Sequence, residues 1–111
     1  MAYSAFMRFI ETPVFTRALE GLLNDEHYHA LQLALIIRPH LGRTIPQSGG
    51  LRKMRWSPKG RGKRGGLRLI YSWDEASETF YMLYVYPKSE REDLSAKQLQ
   101  TLSRLMREEF R

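Results

Sequence analysis

Residues 51–56 read LRKMRW, residues 67–73 read LRLIYSW and residues 79–86 read TFYMLYVY. All three segments are rich in aromatic and aliphatic residues, and turn-forming residues separate them, which is typical of short strands. The simplest arrangement of three consecutive strands is an antiparallel meander. The centre of the chain therefore predicts a small antiparallel sheet.

Before these strands, the chain predicts one further strand and two helices. Residues 5–11 are rich in Phe and Ile and predict the strand, and Thr12 is suited to cap a short helix. Asn24 is a second N-cap, and apolar residues then recur at helical spacing until Pro39. Residues 42–50 are rich in Pro, Ser and Gly, which predicts a connector.

After the three strands, the chain predicts a closing helix. Ser95 and Gln98 form a capping box ahead of an amphipathic pattern. The order strand-helix-helix-strand-strand-strand-helix predicts one α+β domain over residues 1–111, without internal repeats. We expect the helices to pack on one face of the sheet and to leave the other face free for binding.

Charge is unevenly distributed along the chain. Net charge is +6, and no acidic residue lies between Glu26 and Asp74, a stretch that holds ten of the eighteen Lys and Arg residues. A surface that is merely soluble mixes both signs, so we expect an anionic partner. There is no cysteine, no apolar run long enough to cross a bilayer and no secretory signal, which predicts a cytoplasmic location.

Three cations stand within the predicted strands. Period-2 alternation puts Lys53 and Arg55 on the same face of their strand, and Arg68 interrupts an otherwise apolar run. The structural alternative is that charges on an edge strand prevent aggregation. Arg68 is the hardest to explain in that way, because it lies between Leu67 and Leu69. We therefore expect Lys53, Arg55 and Arg68 to meet at one site.

Two further features of the central segment predict contact with RNA. Residues 57–66 form a glycine-rich loop that can approach a phosphate chain and that contains four cations, Lys59, Arg61, Lys63 and Arg64. An ordinary hairpin connection is the alternative. The G-x-G-x-x-G match in this loop runs into a strand and not a helix, so it does not indicate a dinucleotide site. Tyr86 is the candidate for stacking an RNA base.

The residues that commonly carry catalysis are absent or scattered. There is no cysteine nucleophile, the histidines do not form a metal triad, and the basic segment holds no carboxylate to bind magnesium. We therefore expect no metal, no cofactor and no carboxylate beside the cations. RNA can still be cleaved, because its 2′-hydroxyl is an internal nucleophile that needs only orientation, proton transfer and stabilisation of charge. Lys53, beside Arg55 and Arg68, is the candidate base.

In these features the chain resembles the RelE superfamily of bacterial toxins over nearly its whole length, and HigB-type members most closely. The likeness rests on the element order and on GGLRKMR at residues 49–55, KGRGKRGGLRLIY at 59–71 and YPKSE at 86–90. It implies a toxin that enters the ribosomal decoding site and cleaves messenger RNA there. It also implies a cognate antitoxin, which in HigB-type systems is usually a helix-turn-helix protein similar to HigA.

The resemblance implies roles for single residues. Lys53 is the base, Arg55 and Arg68 clamp the phosphate and the transition state, and Lys88 is an acid or a phosphate contact. The loop cations hold ribosomal RNA. Ser89 follows Lys88 where RelE itself has an arginine, and no tyrosine follows in the segment before the last helix. The general acid is therefore unassigned, and Tyr86 is the candidate replacement.

Two other functions fit the same features. ParE-like relatives share the fold and poison DNA gyrase without cleaving RNA. A non-catalytic module that binds RNA or the ribosome would use the same cations without turnover. The basic loop and the set Lys53, Arg55 and Arg68 favour RNA cleavage over gyrase poisoning.

Overall fold

The computed structural model describes residues 7–58 and 66–110 of the chain. Within these ranges the helices are α1 (Pro13–Glu20), α2 (Asp25–Ile37) and α3 (Ala96–Glu109). The strands are β1 (Arg8–Glu11), β2 (Arg43–Thr44), β3 (Arg52–Trp56), β4 (Leu67–Asp74) and β5 (Thr79–Pro87). The α+β class and the predicted order are confirmed, with the two-residue β2 added inside the predicted connector.

Local capping fixes where the helices begin. The side chains of Thr12 and Asn24 each accept a hydrogen bond from the backbone N–H three residues further on, and Ser95 with Gln98 forms both halves of a capping box. The buried Thr12 hydroxyl also donates to the Leu83 carbonyl oxygen at 2.8 Å, which ties the start of α1 to β5. In the described ranges, none of the helices combines the length and the hydropathy that crossing a membrane requires.

The five strands of the described ranges form one sheet in the order β1-β5-β4-β3-β2. β3, β4 and β5 are antiparallel neighbours, which confirms the predicted meander. β1 pairs in parallel with β5, and β2 pairs antiparallel with the outer edge of β3.

Helices cover both faces of the sheet, so the prediction that they share one face is corrected. The core on one face packs α1 and α2 against residues such as Leu69, Phe80 and Met82. The core on the other face packs α3 against the intervening residues Ile70 and Leu83. The physical reason is that β5 is apolar at nearly every position, as expected of a strand that is buried on both sides.

Two sets of contacts hold the segment around β2 in place. The Ser103 hydroxyl of α3 donates to the Ser48 carbonyl oxygen at 2.6 Å, and Gly49 and Gly50 turn the chain with positive φ angles of 76° and 98°. At the other end of β2, the buried Gly42 N–H donates to the Tyr71 hydroxyl at 2.9 Å. A Cβ at Gly42 would lie 2.8 Å from the Tyr71 ring, so glycine is required there.

Candidate functional site

The strand register brings four cations together on the face of the sheet that carries α3. Arg55 lies directly opposite Arg68, and Arg43 lies directly opposite Lys53. Residues that pair across antiparallel strands project from the same face, and so do Lys53 and Arg55 at alternate positions of β3. The structure therefore brings the three predicted strand cations together and adds Arg43, which the sequence reasoning placed in a connector.

Two carboxylates contact this cluster, which corrects the expectation that none would lie nearby. Glu92 accepts hydrogen bonds from Arg68 Nε at 2.6 Å and from Arg68 Nη2 at 2.9 Å. Asp93 ion-pairs with the Lys53 ammonium, and the Glu92 carboxylate also lies 3.7 Å from Lys53 Nζ. These acids follow β5, far from the basic segment in sequence, so only the tertiary fold brings them to the cations.

Arg68 and Glu92 hold each other in their ionised forms. Hydrogen bonds from Arg68, supported by its charge and that of Lys53, lower the pKa of the Glu92 carboxyl to about 2. The same hydrogen bonds raise the pKa of Arg68. Arg68 is buried, with 5% of its surface exposed, whereas the side chains of Glu92 and Asp93 are 53% and 70% exposed. Arg68 is therefore enclosed in the sheet, whereas both carboxylates lie at the surface.

Tyr86 does not have the role that the sequence suggested, and the prediction that it stacks an RNA base is wrong for this conformation. The side chain is 1% exposed, and its hydroxyl donates to the Glu92 carbonyl oxygen at 3.0 Å. Burial raises the pKa of Tyr86 to about 12, which also disfavours its use as a general acid. Its ring packs in the core beneath α3, and its hydroxyl holds the segment that presents Glu92 to Arg68.

In the described ranges, the side chain of Lys88 forms no ion pair. Lys88 is exposed in the turn after β5, and its backbone N–H donates to the Gly66 carbonyl oxygen at 3.0 Å. The loop cations Lys59, Arg61, Lys63 and Arg64 lie outside the described residues. Their proposed contact with RNA stays a prediction.

A groove adjoins the cluster where β2 separates from the edge of β3. Its volume is about 460 Å³, within the roughly 300–1,000 Å³ range of small-molecule sites. It is lined by three cations and two apolar residues: Arg43, Lys53, Arg55, Leu41 and Met54. Arg43 and Arg55 form no ion pair with the described residues, so an anion could bind between them.

The chain is similar to proteins of a known family. The family described as "RelE toxin of RelE / RelB toxin-antitoxin system" matches residues 42–110. A mutant of the E. coli toxin RelE in the free state matches with a TM-score of 0.51 and 17% identity, covering 83% of this chain and 90% of that chain. The RelE of an archaeal RelE-RelB complex from Pyrococcus horikoshii OT3 matches with a TM-score of 0.51 and 18% identity, covering 78% and 99%. At these identities the two structures support the fold alone.

Proposed function

The chain belongs to the RelE toxin family and is the toxin of a toxin–antitoxin pair, and we propose that it is a ribosome-dependent endoribonuclease that cleaves messenger RNA. The proposal rests most directly on one observation. Lys53, Arg55 and Arg68 project from the same face of neighbouring strands, where they can surround one phosphate. The closer likeness to HigB-type members, with a HigA-like helix-turn-helix antitoxin, is part of the proposal.

The proposed reaction uses the RNA's own 2′-hydroxyl. Lys53 acts as a neutral amine, after its ammonium has released a proton to water, and takes the proton of the 2′-hydroxyl. The 2′-oxygen attacks the adjacent phosphorus, so that a 2′,3′-cyclic phosphate forms while the bond to the 5′-oxygen breaks. Arg55 and Arg68 stabilise the negative charge that develops on the phosphate oxygens. The 5′-oxygen leaves with a proton from Lys88 or from water. DNA, which has no 2′-hydroxyl, is not a substrate.

The carboxylates must move before this reaction can take place. Lys53 Nζ is occupied by Asp93, and the edge of the Arg68 guanidinium formed by Nε and Nη2 is occupied by Glu92. A phosphate offers the same oxygen acceptors as these carboxylates, so an incoming RNA phosphate can replace them on both cations. The high exposure of both acidic side chains supports this exchange.

The direct test is expression of the chain in bacteria with mapping of transcript 5′ ends. We expect new ends within translated frames. Intact transcripts with a DNA-damage response would instead indicate gyrase poisoning. Absence of both effects, with the protein bound to ribosomes, would indicate the non-catalytic module.

Substitution of Lys53 separates cleavage from binding. Lys53→Ala should lower the cleavage rate by at least about 100-fold, the usual contribution of a positioned acid or base, while most of the ribosome affinity remains. Arg17→Ala is the matched control, because Arg17 is exposed on α1, on the other face of the sheet. The proposed role of Lys53 would be contradicted if Lys53→Ala left the cleavage rate unchanged and lowered the ribosome affinity only slightly, as Arg17→Ala does.

A further inference from the structure

The groove beside β3 lies next to two pairs of like-charged residues, an arrangement that does not help the sheet to fold. Two like-charged pairs face each other across strands, Arg55 with Arg68 and Arg43 with Lys53. Like charges directly opposite one another destabilise a sheet. Glu92 offsets the charge of Arg68, and Asp93 offsets that of Lys53. The outer member of each pair is left without a carboxylate from the described residues.

Both outer arginines line the same groove. Arg43 and Arg55 are exposed, and Lys53 lies between them on the wall. The half-buried Leu41 and the buried Met54 complete the lining. A ligand that matches this lining has an anionic group for the arginines and a flat apolar group for Leu41.

A nucleotide has both parts, and the position of the groove favours an RNA strand over a free small molecule. Lys53 lines the groove and also belongs to the cluster proposed to hold the cleaved phosphate. A strand bound at that cluster therefore enters the groove with its neighbouring nucleotide. Single-stranded RNA is held in this way, by cations on its phosphates and by contacts to its unstacked bases.

We propose that this groove binds the nucleotide of the RNA substrate that adjoins the cleaved phosphate, with Arg43 holding the phosphate of that nucleotide and Leu41 lying beside its base, while Arg55 contacts the cleaved phosphate. The inference rests on the proposed function in taking RNA as the substrate. It adds a subsite next to the cleavage position and assigns Arg43 to RNA binding.

The test uses a probe that binds without being cleaved. A fluorescein-labelled 2′-O-methyl RNA hexanucleotide lacks the attacking hydroxyl, so its fluorescence anisotropy reports binding by the full chain whether or not the chain is a nuclease. Arg43→Ala should weaken binding about 5-fold and lower the slope of log affinity against log salt by about 0.7, the value for one single-strand phosphate contact. Arg17→Ala should change the affinity by less than about twofold.

A second probe separates the phosphate from the base. An abasic 2′-O-methyl strand of the same length should bind the unsubstituted chain more weakly than the hexanucleotide, because the base contact is lost. Arg43→Ala should still weaken binding of the abasic strand, because the phosphate contact remains.

Three results would overturn the inference. One is equal affinity of the Arg43→Ala and Arg17→Ala chains for the hexanucleotide, and another is no binding of the probe to the unsubstituted chain at low salt. The third is displacement of the probe by an Asp- and Glu-rich peptide at lower concentrations than by unlabelled hexanucleotide, which would identify the groove as a peptide site. Cleavage of translated transcripts in cells is scored separately, so failure of the groove and failure of the proposed nuclease remain distinguishable.

Discussion

Arg55 and Arg68 are the same residue type at directly opposite positions of neighbouring strands, yet their surroundings differ. Arg68 is buried, donates twice to Glu92 and donates once to the Leu67 carbonyl oxygen. Arg55 is exposed and forms no ion pair within residues 7–58 and 66–110. The cationic surface therefore has two parts, an inner part whose charge is balanced by carboxylates of the protein and an outer part whose charge is open to a ligand.

The largest expected difference between the two arginines is in stability. Arg68→Ala should lower the free energy of unfolding by about 2 kcal/mol, because hydrogen bonds to a charged group and the packing of the buried stem are lost. Arg55→Ala should change it by less than about 0.5 kcal/mol, as is usual at exposed positions. Urea unfolding followed by circular dichroism measures both values. Equal losses would show that burial and pairing of Arg68 add nothing to stability.

Removing the charges of Glu92 and Asp93 should open the inner cations to RNA phosphates, as the outer cations already are. The double variant Glu92→Gln, Asp93→Asn should bind the 2′-O-methyl hexanucleotide about 10-fold more tightly at low salt, because RNA phosphates no longer displace anions from Lys53 and Arg68. Glu90→Gln is the matched control, since Glu90 is exposed in the same segment and forms no ion pair with the described residues. Weaker binding by the double variant would mean that the carboxylates orient the cations for RNA instead of competing with it.

Removal of the exposed charge of Arg55 should have a smaller effect on the affinity for the hexanucleotide. Arg55→Ala should weaken hexanucleotide binding about 3-fold and lower the salt slope by about 0.7, consistent with loss of one phosphate contact. Fluorescence anisotropy across a salt series measures both quantities. A lower affinity with an unchanged salt slope would show that Arg55 does not contact a phosphate.

The smallest effect concerns acid stability. The pKa of Glu92 is 4.5 in a free side chain and about 2 in the fold, so its charge stabilises the folded state fully above pH 4.5 and ceases to do so as the pH falls towards 2. The difference in urea midpoint between the unsubstituted chain and Glu92→Gln should therefore shrink across this interval. A difference that stays constant with pH would show that the ionisation of Glu92 does not contribute.

Most of the secondary structure was predictable because its signals are local. The three central strands were predicted to within one residue at each end, and the caps at Thr12, Asn24 and Ser95 were identified correctly. β2 was missed because its two residues are too few to show alternation. The position of α3 on the second face was missed as well, although the unbroken apolar run of β5 was a signal for it.

The candidate site was predictable only in part. The alternation that placed Lys53, Arg55 and Arg68 on one face is a property of neighbouring residues, and the strand register agrees with it. The pairing of Arg68 with Glu92 spans 24 residues and that of Lys53 with Asp93 spans 40, and no local pattern encodes such contacts. Arg43 became a candidate only when the register placed it opposite Lys53.

The closing helix is connected to two segments that flank this surface. Its N-cap, Ser95, comes two residues after Asp93, and its Ser103 hydroxyl donates a hydrogen bond to the loop between β2 and β3. A helix is stiff along its axis, so a displacement of α3 moves Ser95 and Ser103 together. A displacement of α3 would therefore be transmitted both to the segment that carries Asp93 and to the loop between β2 and β3.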